Sequence, residues 1–291
     1  MTLVARLSIL FIFLLAGCSQ EKVQIIQGSI YGTTYSVQFT ENINKEKIHT
    51  LIKAELDRID MVFSTYKPSS EISLINDCRR EFTFEDELFD YYQCSKELGS
   101  EEFNALLTRA EYFMFVTDMA FHAADERSEF PNTLLPMDFS AIGKGYAVDK
   151  IAELLAENGI FNYFIDIGGE LSINGTKFGE LWTWGISNPI NPNSTVYRGF
   201  DAPVNGISIA TSGEYRNPDH IWGKGSGRER DVLSVTTISE NTADADAWAT
   251  AMYVLGIEDG LKLAERRDVA VFFIKEDGKS VNSTEWSKIY P

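Results

Sequence analysis

The sequence predicts an α+β fold in one compact domain, with mixed or antiparallel sheets flanked by helices. Three observations lead there. Segments of strand period and helix period alternate along the chain with no long linker, low-complexity tract or internal repeat between them. The 291 residues, 44% of them hydrophobic, supply a real core for one large domain. Gly and Asn signals fall where the periods change.

The first residues set the compartment. Arg6 precedes a largely apolar stretch from Leu7 to Leu15, which exits through Ala16 and Gly17 to Cys18. That run falls short of the roughly 20 residues of a spanning helix, and small residues close it, so it reads as a lipoprotein signal peptide over 1–17. Cys18 is then the lipidated residue, 18–27 a tether, and 28–291 the folded domain. The predicted location is the bacterial periplasm, on a membrane through the lipid of Cys18, the outer membrane rather than the inner.

Within the domain, Thr34 to Phe39 alternates as a half-buried strand does. Ile48, Leu51, Ile52, Leu56, Ile59 and Phe63 recur at helical spacing. Helical pieces are predicted at Glu87–Leu98 and Phe103–Phe115, and a helix at Gly145–Glu157 that stops at Asn158 and Gly159. Tyr163–Ile167 reads as a buried strand. Further strands are predicted at Gly206–Ala210, Val232–Ser239 and Val269–Lys275, helices at Ala243–Leu255 and Glu258–Arg266, and a turn at Asp277 and Gly278.

The formal charge of -17 argues against nucleic acid, whose phosphates call for Lys and Arg. A nucleotide can still bind such a protein through backbone amides and a screening divalent cation. Beyond Cys18 the chain has Cys78 and Cys94, without zinc-site spacing; the choice is between one disulfide and two free thiols.

Four clusters could carry chemistry. In Met137–Asp149, two glycines flank Lys144 at the start of a helix, where free amides and the dipole suit a phosphate; a capped turn with a solvated lysine is the plainer reading. Asp166–Glu170 places Gly168 and Gly169 at a strand end, for close approach of a ligand or as a bulge. Ala210–Glu214 follows a strand, and His220 comes soon after, a possible general base or a structural histidine. Asp246 and Thr250, four apart on a helix, aim two oxygens at one point, which suits a hard cation; the alternative is an acidic first turn and a Thr bonded to its own helix.

Taken in order, these clusters resemble the signature of the periplasmic FAD:protein FMN transferase family, also described as thiamine-biosynthesis lipoproteins. The match runs through Gly28–Val37, Phe63–Ser73, Asp138, Ala141–Asp149, Ile167–Glu170, Ala210–Arg216, His220 and Ala245–Ala251. The resemblance implies a flavin-transferase, T-fold-like architecture. It also implies FAD as substrate, Mg2+ across its diphosphate, and transfer of FMN to a Thr or Ser hydroxyl of an acceptor protein with release of AMP. The acceptors it implies are flavoprotein domains of periplasm-facing redox complexes. By matching position, Asp246, Thr250 and the main-chain oxygen of Ala141 would hold the metal, and His220 would be the base. Tyr31, Ser64, Thr65 and Tyr66 would line the flavin, with Phe103 and Asn104 in the FAD site. Lys144, Asp149 and Ile221 would contact the dinucleotide.

The chain departs from that pattern in the middle. Where the family shows Gly, Ala, Phe, Asp, Ile, Thr, it has Glu101, Glu102, Phe103, Asn104, Ala105, Leu106, which removes a carboxylate. Tyr31 replaces a common methionine, and Trp222, Gly223 and Lys224 follow Ile221 in place of Asp-Pro. These changes imply looser FAD binding, and leave room for a relative that hydrolyses FAD to FMN and AMP or only holds the flavin.

Overall fold

The computed structural model describes residues 22–80, 93–124, 135–191, 196–215 and 231–291. It opens with the hairpin β1 (Gln24–Ile30) and β2 (Thr33–Phe39). Tyr31 and Gly32 close the hairpin at φ 53° and 72°, the left-handed pair that a two-residue turn between twisted strands requires. Helix α1 (Lys45–Phe63) starts under the Asn44 side chain, which accepts from Lys47 N, and buries Ile48, Ile52, Leu56 and Ile59. Three helices follow, α2 (Glu71–Arg79), α3 (Gln93–Leu98) and α4 (Glu101–Val116); Ser70 and Ser100 cap the first and third. Cys78 and Cys94 form a disulfide between α2 and α3, which settles the alternative left open by the sequence.

Helix α5 (Ser140–Glu157) leads into the hairpin β3 (Tyr163–Ile167) and β4 (Glu170–Asn174). A small ribbon, β5 (Thr176–Lys177) and β6 (Glu180–Leu181), and a larger one, β7 (Thr183–Ser187) and β8 (Val196–Asp201), come next. Then follow β9 (Ile207–Ser212), β10 (Val232–Ser239) and α6 (Thr242–Arg267). The chain ends with β11 (Ala270–Lys275), β12 (Ser280–Asn282) and α7 (Thr284–Ile289).

Eight strands form one sheet in the order β1-β2-β3-β4-β9-β10-β11-β12, with every neighbour antiparallel. Its strands bury both faces. On β11, Val271 and Phe273 join the core under the helices, whereas Ala270, Phe272 and Ile274 pack with Trp184, Phe200 and Trp286 of the β7–β8 ribbon and α7. Under β1–β3, Ile26, Val37 and Ile165 meet Ile52 and Leu56 of α1 and Ile151 and Leu155 of α5.

One helix boundary differs from the sequence reading. Helix α5 starts at Ser140, not Gly145, because Asp138 accepts from Ser140 N at 2.8 Å and opens the first turn early. The two helices expected at Ala243–Leu255 and Glu258–Arg266 are there, joined within α6 at Gly256, which is non-helical with a φ of 74° that only glycine adopts without strain.

Candidate active site

Two glycine turns meet at one end of the sheet. Gly168 and Gly169, at φ 70° and 109°, close the β3–β4 hairpin as a two-residue turn, not as a bulge. The adjacent strand pins it: Gly168 N donates to Thr34 O at 3.0 Å, and a Cβ on Gly168 would lie 2.9 Å from Thr33 Cγ2. Gly169 N donates to Asp166 Oδ1 at 2.9 Å. Glu170, the next residue, is therefore fixed in place, with 1% of its surface exposed.

Helices α5 and α6 cross against this end. At Gly145 they approach so closely that a Cβ would lie 2.3 Å from Thr242 O. One turn further along α6, Asp246 accepts from Gly145 N at 3.0 Å. In a regular helix that amide faces the carbonyl four residues earlier, which here is Ala141. Asp246 thus contacts the same turn of α5 that carries the Ala141 carbonyl. Thr250 lies one turn beyond Asp246, with its Oγ1 3.4 Å from Ser212 Oγ at the end of β9. Small side chains permit this: Ala210 of β9 packs directly on Ala245 and Ala249.

Lys144 sets the electrostatics. Its Nζ lies 2.5 Å from Glu170 Oε1. Burial alone would lower the lysine, but Glu170, Asp246 and Asp166 outweigh it and push it up, so the ammonium is retained. Burial pushes Glu170 up to about 7, with Lys144 opposing. Burial likewise raises Asp246, against Lys144 and the Gly145 amide. A carboxylate, one or two hydroxyls and a main-chain carbonyl make an all-oxygen donor set. That set fits a hard divalent cation and not a soft or thiophilic one. No group of three or more His, Cys, Asp or Glu among the described residues is placed to hold a metal, so any metal site here depends on the hydroxyl and the carbonyl.

Several residues expected to touch the dinucleotide are engaged elsewhere. Asp149, which also lines the cavity described below, accepts from Thr242 N at 2.7 Å through Oδ1 and from Ala243 N at 2.9 Å through Oδ2, which anchors the first turn of α6. The Asn104 amide donates to the carbonyls of Ser95, Gly99 and Ser100, and so closes the α3–α4 corner. Phe103 is wholly buried, its ring 5.9 Å from Phe63 and 5.3 Å from Phe139. Tyr31 OH donates to Leu56 O at 2.9 Å, so the hairpin turn is tied to α1. Lys144, expected in a glycine loop ahead of a helix, lies inside α5 and pairs with the buried Glu170 while a third of its own side chain stays exposed. Ser64 ends α1, and its carbonyl accepts from Ser70 Oγ at 2.6 Å. Thr65 and Tyr66 are exposed, the tyrosine 92% so, and free to meet a ligand. His220, Ile221 and Cys18 lie outside the described residues.

The Lys144–Glu170 pair and Ser212 beside Thr250 were missed. Each falls in a segment the sequence singles out, but pairing across 26 and 38 positions has no local signature. A cavity of about 650 Å³ lies at the other end of the same strands, lined by Tyr163, Asn174, Ile207, Ser239 and Arg109, and is separate from the oxygen cluster.

The ApbE family model matches residues 31–124 and 100–273, a span that holds the α5 start, both sides of the Gly168–Gly169 turn and the α6 oxygens. The chain belongs to the ApbE family. Among relatives, the FAD:protein FMN transferase of Salmonella typhimurium is 27% identical, over 92% of this chain and 91% of its own. That of Vibrio cholerae is 28% identical, over 94% and 92%. Two solved ApbE proteins share the fold. The flavin transferase ApbE from Vibrio cholerae has a TM-score of 0.73 at 24% identity, covering 92% of this chain and 99% of that one. The Pseudomonas stutzeri flavinyl transferase ApbE, in its apo form, has 0.75 at 24%, covering 94% and 99%. The predicted α+β flavin-transferase architecture is borne out, and so is the expectation of a transferase enzyme.

Proposed function

We propose that this protein transfers the FMN half of FAD to a Thr or Ser hydroxyl of an acceptor protein and releases AMP. The observation that carries the reading is Asp246, buried on the Gly145 amide with Thr250 one turn beyond it on α6, next to the retained Lys144 ammonium. Asp246, Thr250 and the Ala141 carbonyl would hold Mg2+, and Lys144 would face the diphosphate. When bound, the metal supplies a Lewis acid and a template for the phosphoryl oxygens. In the transfer, the acceptor oxygen bonds to the FMN phosphorus, the bond from that phosphorus to the bridging oxygen breaks, and AMP leaves with that oxygen. The hydroxyl proton passes to His220. Lys144 stabilises charge on the diphosphate, and the Gly145 amide holds Asp246 in a fixed orientation, so little reorganisation accompanies the reaction.

The protein acts in the periplasm, carried on the outer membrane by lipid at Cys18, with flavoprotein domains of membrane redox complexes as acceptors. A second reading rests on Phe103 and Asn104. With the ring stacked in the core and the amide bonded to three carbonyls, both side chains are already engaged within the protein, which favours a weakened flavin wall and hydrolysis of FAD with water as acceptor.

The test is incubation with FAD, Mg2+ and a flavin-acceptor domain, read by in-gel fluorescence of the denatured acceptor together with AMP release. A fluorescent acceptor supports transfer. AMP without it supports hydrolysis, and full activity in Asp246→Ala at saturating FAD refutes the metal assignment.

A further inference from the structure

Two buried acids, Glu170 and Asp246, share one ammonium, and the structure shows which of them receives it. Lys144 Nζ bonds to Glu170 Oε1 at 2.5 Å, while Asp246 Oδ2 takes the amide of Gly145, the residue next to Lys144. Asp246 is bound to the backbone beside the lysine, well within reach of a flexible four-carbon side chain. Glu170 comes from a different element and is set by the Gly168–Gly169 turn against Thr33 and Thr34. Its Oε2 is buried with no hydrogen-bond partner. An acid buried at that expense, with one oxygen given to Lys144, calls for a reason beyond local stability.

We propose that Glu170 is a positioning residue that draws the Lys144 ammonium away from Asp246 and so keeps the Asp246 carboxylate open to a divalent cation. A lysine seated on Asp246 would occupy the lone pairs the cation needs and cancel the charge that attracts it. Held on Glu170, the same ammonium stands at the rim of the site, placed for an anionic diphosphate. The inference rests on the metal reading given above.

The experiment uses the mature protein without nucleotide and Mn2+ as the probe, with free Mn2+ followed by electron paramagnetic resonance. Wild type is compared with Glu170→Gln, Lys144→Met, the double variant and Asp246→Asn. In Glu170→Gln the ammonium turns to Asp246, and Mn2+ binds about tenfold or more weakly, the scale of a close charge pair. With Lys144→Met there is no ammonium to divert, so adding Glu170→Gln changes Mn2+ affinity less than twofold. A crystal structure of metal-free Glu170→Gln should show Lys144 Nζ on Asp246; Glu170→Asp, which keeps the charge but withdraws it, serves if the glutamine variant does not fold. Lys144 still lying at position 170, or Mn2+ affinity unchanged in Glu170→Gln, overturns the proposal. If Asp246→Asn binds Mn2+ as wild type does, the metal assignment itself has failed, and the crystal structure still decides where the ammonium goes.

Discussion

Asp149→Ala separates a scaffold role from a ligand contact at a position where sequence and structure disagree. The carboxylate receives the Thr242 and Ala243 amides at 2.7 and 2.9 Å, two of the N–H groups that have no partner within α6 itself. Asn241 Oδ1 serves the Asp244 amide at 2.9 Å and would remain. Removing a capping side chain costs about 0.5–2 kcal/mol, and a part-buried amide left without an acceptor about 1–3 kcal/mol. Both figures describe the same pair of bonds and are not added, so the loss is about 1–3 kcal/mol. For a domain of this size, each kcal/mol lowers Tm by about 2–4 °C, giving a fall of roughly 2–12 °C. The check is a thermal melt beside FAD binding by flavin fluorescence. The structure predicts a lower Tm and an FAD affinity within a few-fold of wild type when measured well below the melt. An unchanged Tm with FAD binding weakened tenfold or more would show that Asp149 meets the dinucleotide, and the reasoning from its hydrogen bonds would be wrong.

Gly145→Ala places a methyl 2.3 Å from Thr242 O, so α5 and α6 must part; a loss of about 1–3 kcal/mol in urea unfolding and weaker Mn2+ binding are expected together. Cys78→Ser with Cys94→Ser opens a link spanning 16 positions and should lower stability by about 3 kcal/mol, seen as an equal loss when the wild type is melted with reductant. Glu102 is held below its ordinary value of 4.5 by hydrogen bonds from Arg58, against burial, with Tyr146 OH adding a bond. The folded state therefore binds this proton more weakly than the unfolded chain. Its contribution is complete above about 4.5 and disappears as pH falls through the lower folded value, so urea midpoints between pH 6 and 3 should fall less steeply in Glu102→Gln.

Where one periodicity ruled a segment, the sequence disclosed the element. Tyr163–Ile167 and Val232–Ser239 were read at their observed bounds, because strand period and flanking turn residues agree there. Strand β4 was not read: Glu170, Leu171, Ser172 and Ile173 are all buried, polar residues included, so no alternation survives. Ribbon β7–β8 and α7 escaped for a related reason, since their apolar face is complete only when Trp286 meets Trp184 and Phe200, 102 and 86 positions away. In the site, Asp246 and Thr250 were legible because helical spacing is local. The partners that define their chemistry, Gly145, Ser212 and Glu170, come from other elements, and nothing near them in sequence announces the contact.

The signature that marks the family therefore mixes two physical roles. Asp149, Asn104 and Tyr31 fall in it or beside it, but their polar atoms are spent on main-chain groups: two amides at the start of α6, three carbonyls at the α3–α4 corner and the Leu56 carbonyl. Backbone groups at the ends of elements need partners, and a polar side chain given to that duty is not free for substrate. Asp246, Thr250 and Lys144 differ in place: they gather where α5, α6 and the ends of β4 and β9 meet, on the Gly145 amide, the Ser212 hydroxyl and the Glu170 carboxylate, with opposite charges brought together there. Scaffold residues of the first kind should lower Tm when replaced and leave the chemistry of the folded fraction intact. Those of the second kind should alter metal affinity or turnover in a protein that melts nearly as before. Replacing Asp149 of α5 and Asp246 of α6 one at a time tests that division across one helix pair: each carboxylate is held by backbone amides of the other helix, but only the loss of Asp246 should abolish metal-dependent turnover in the folded protein.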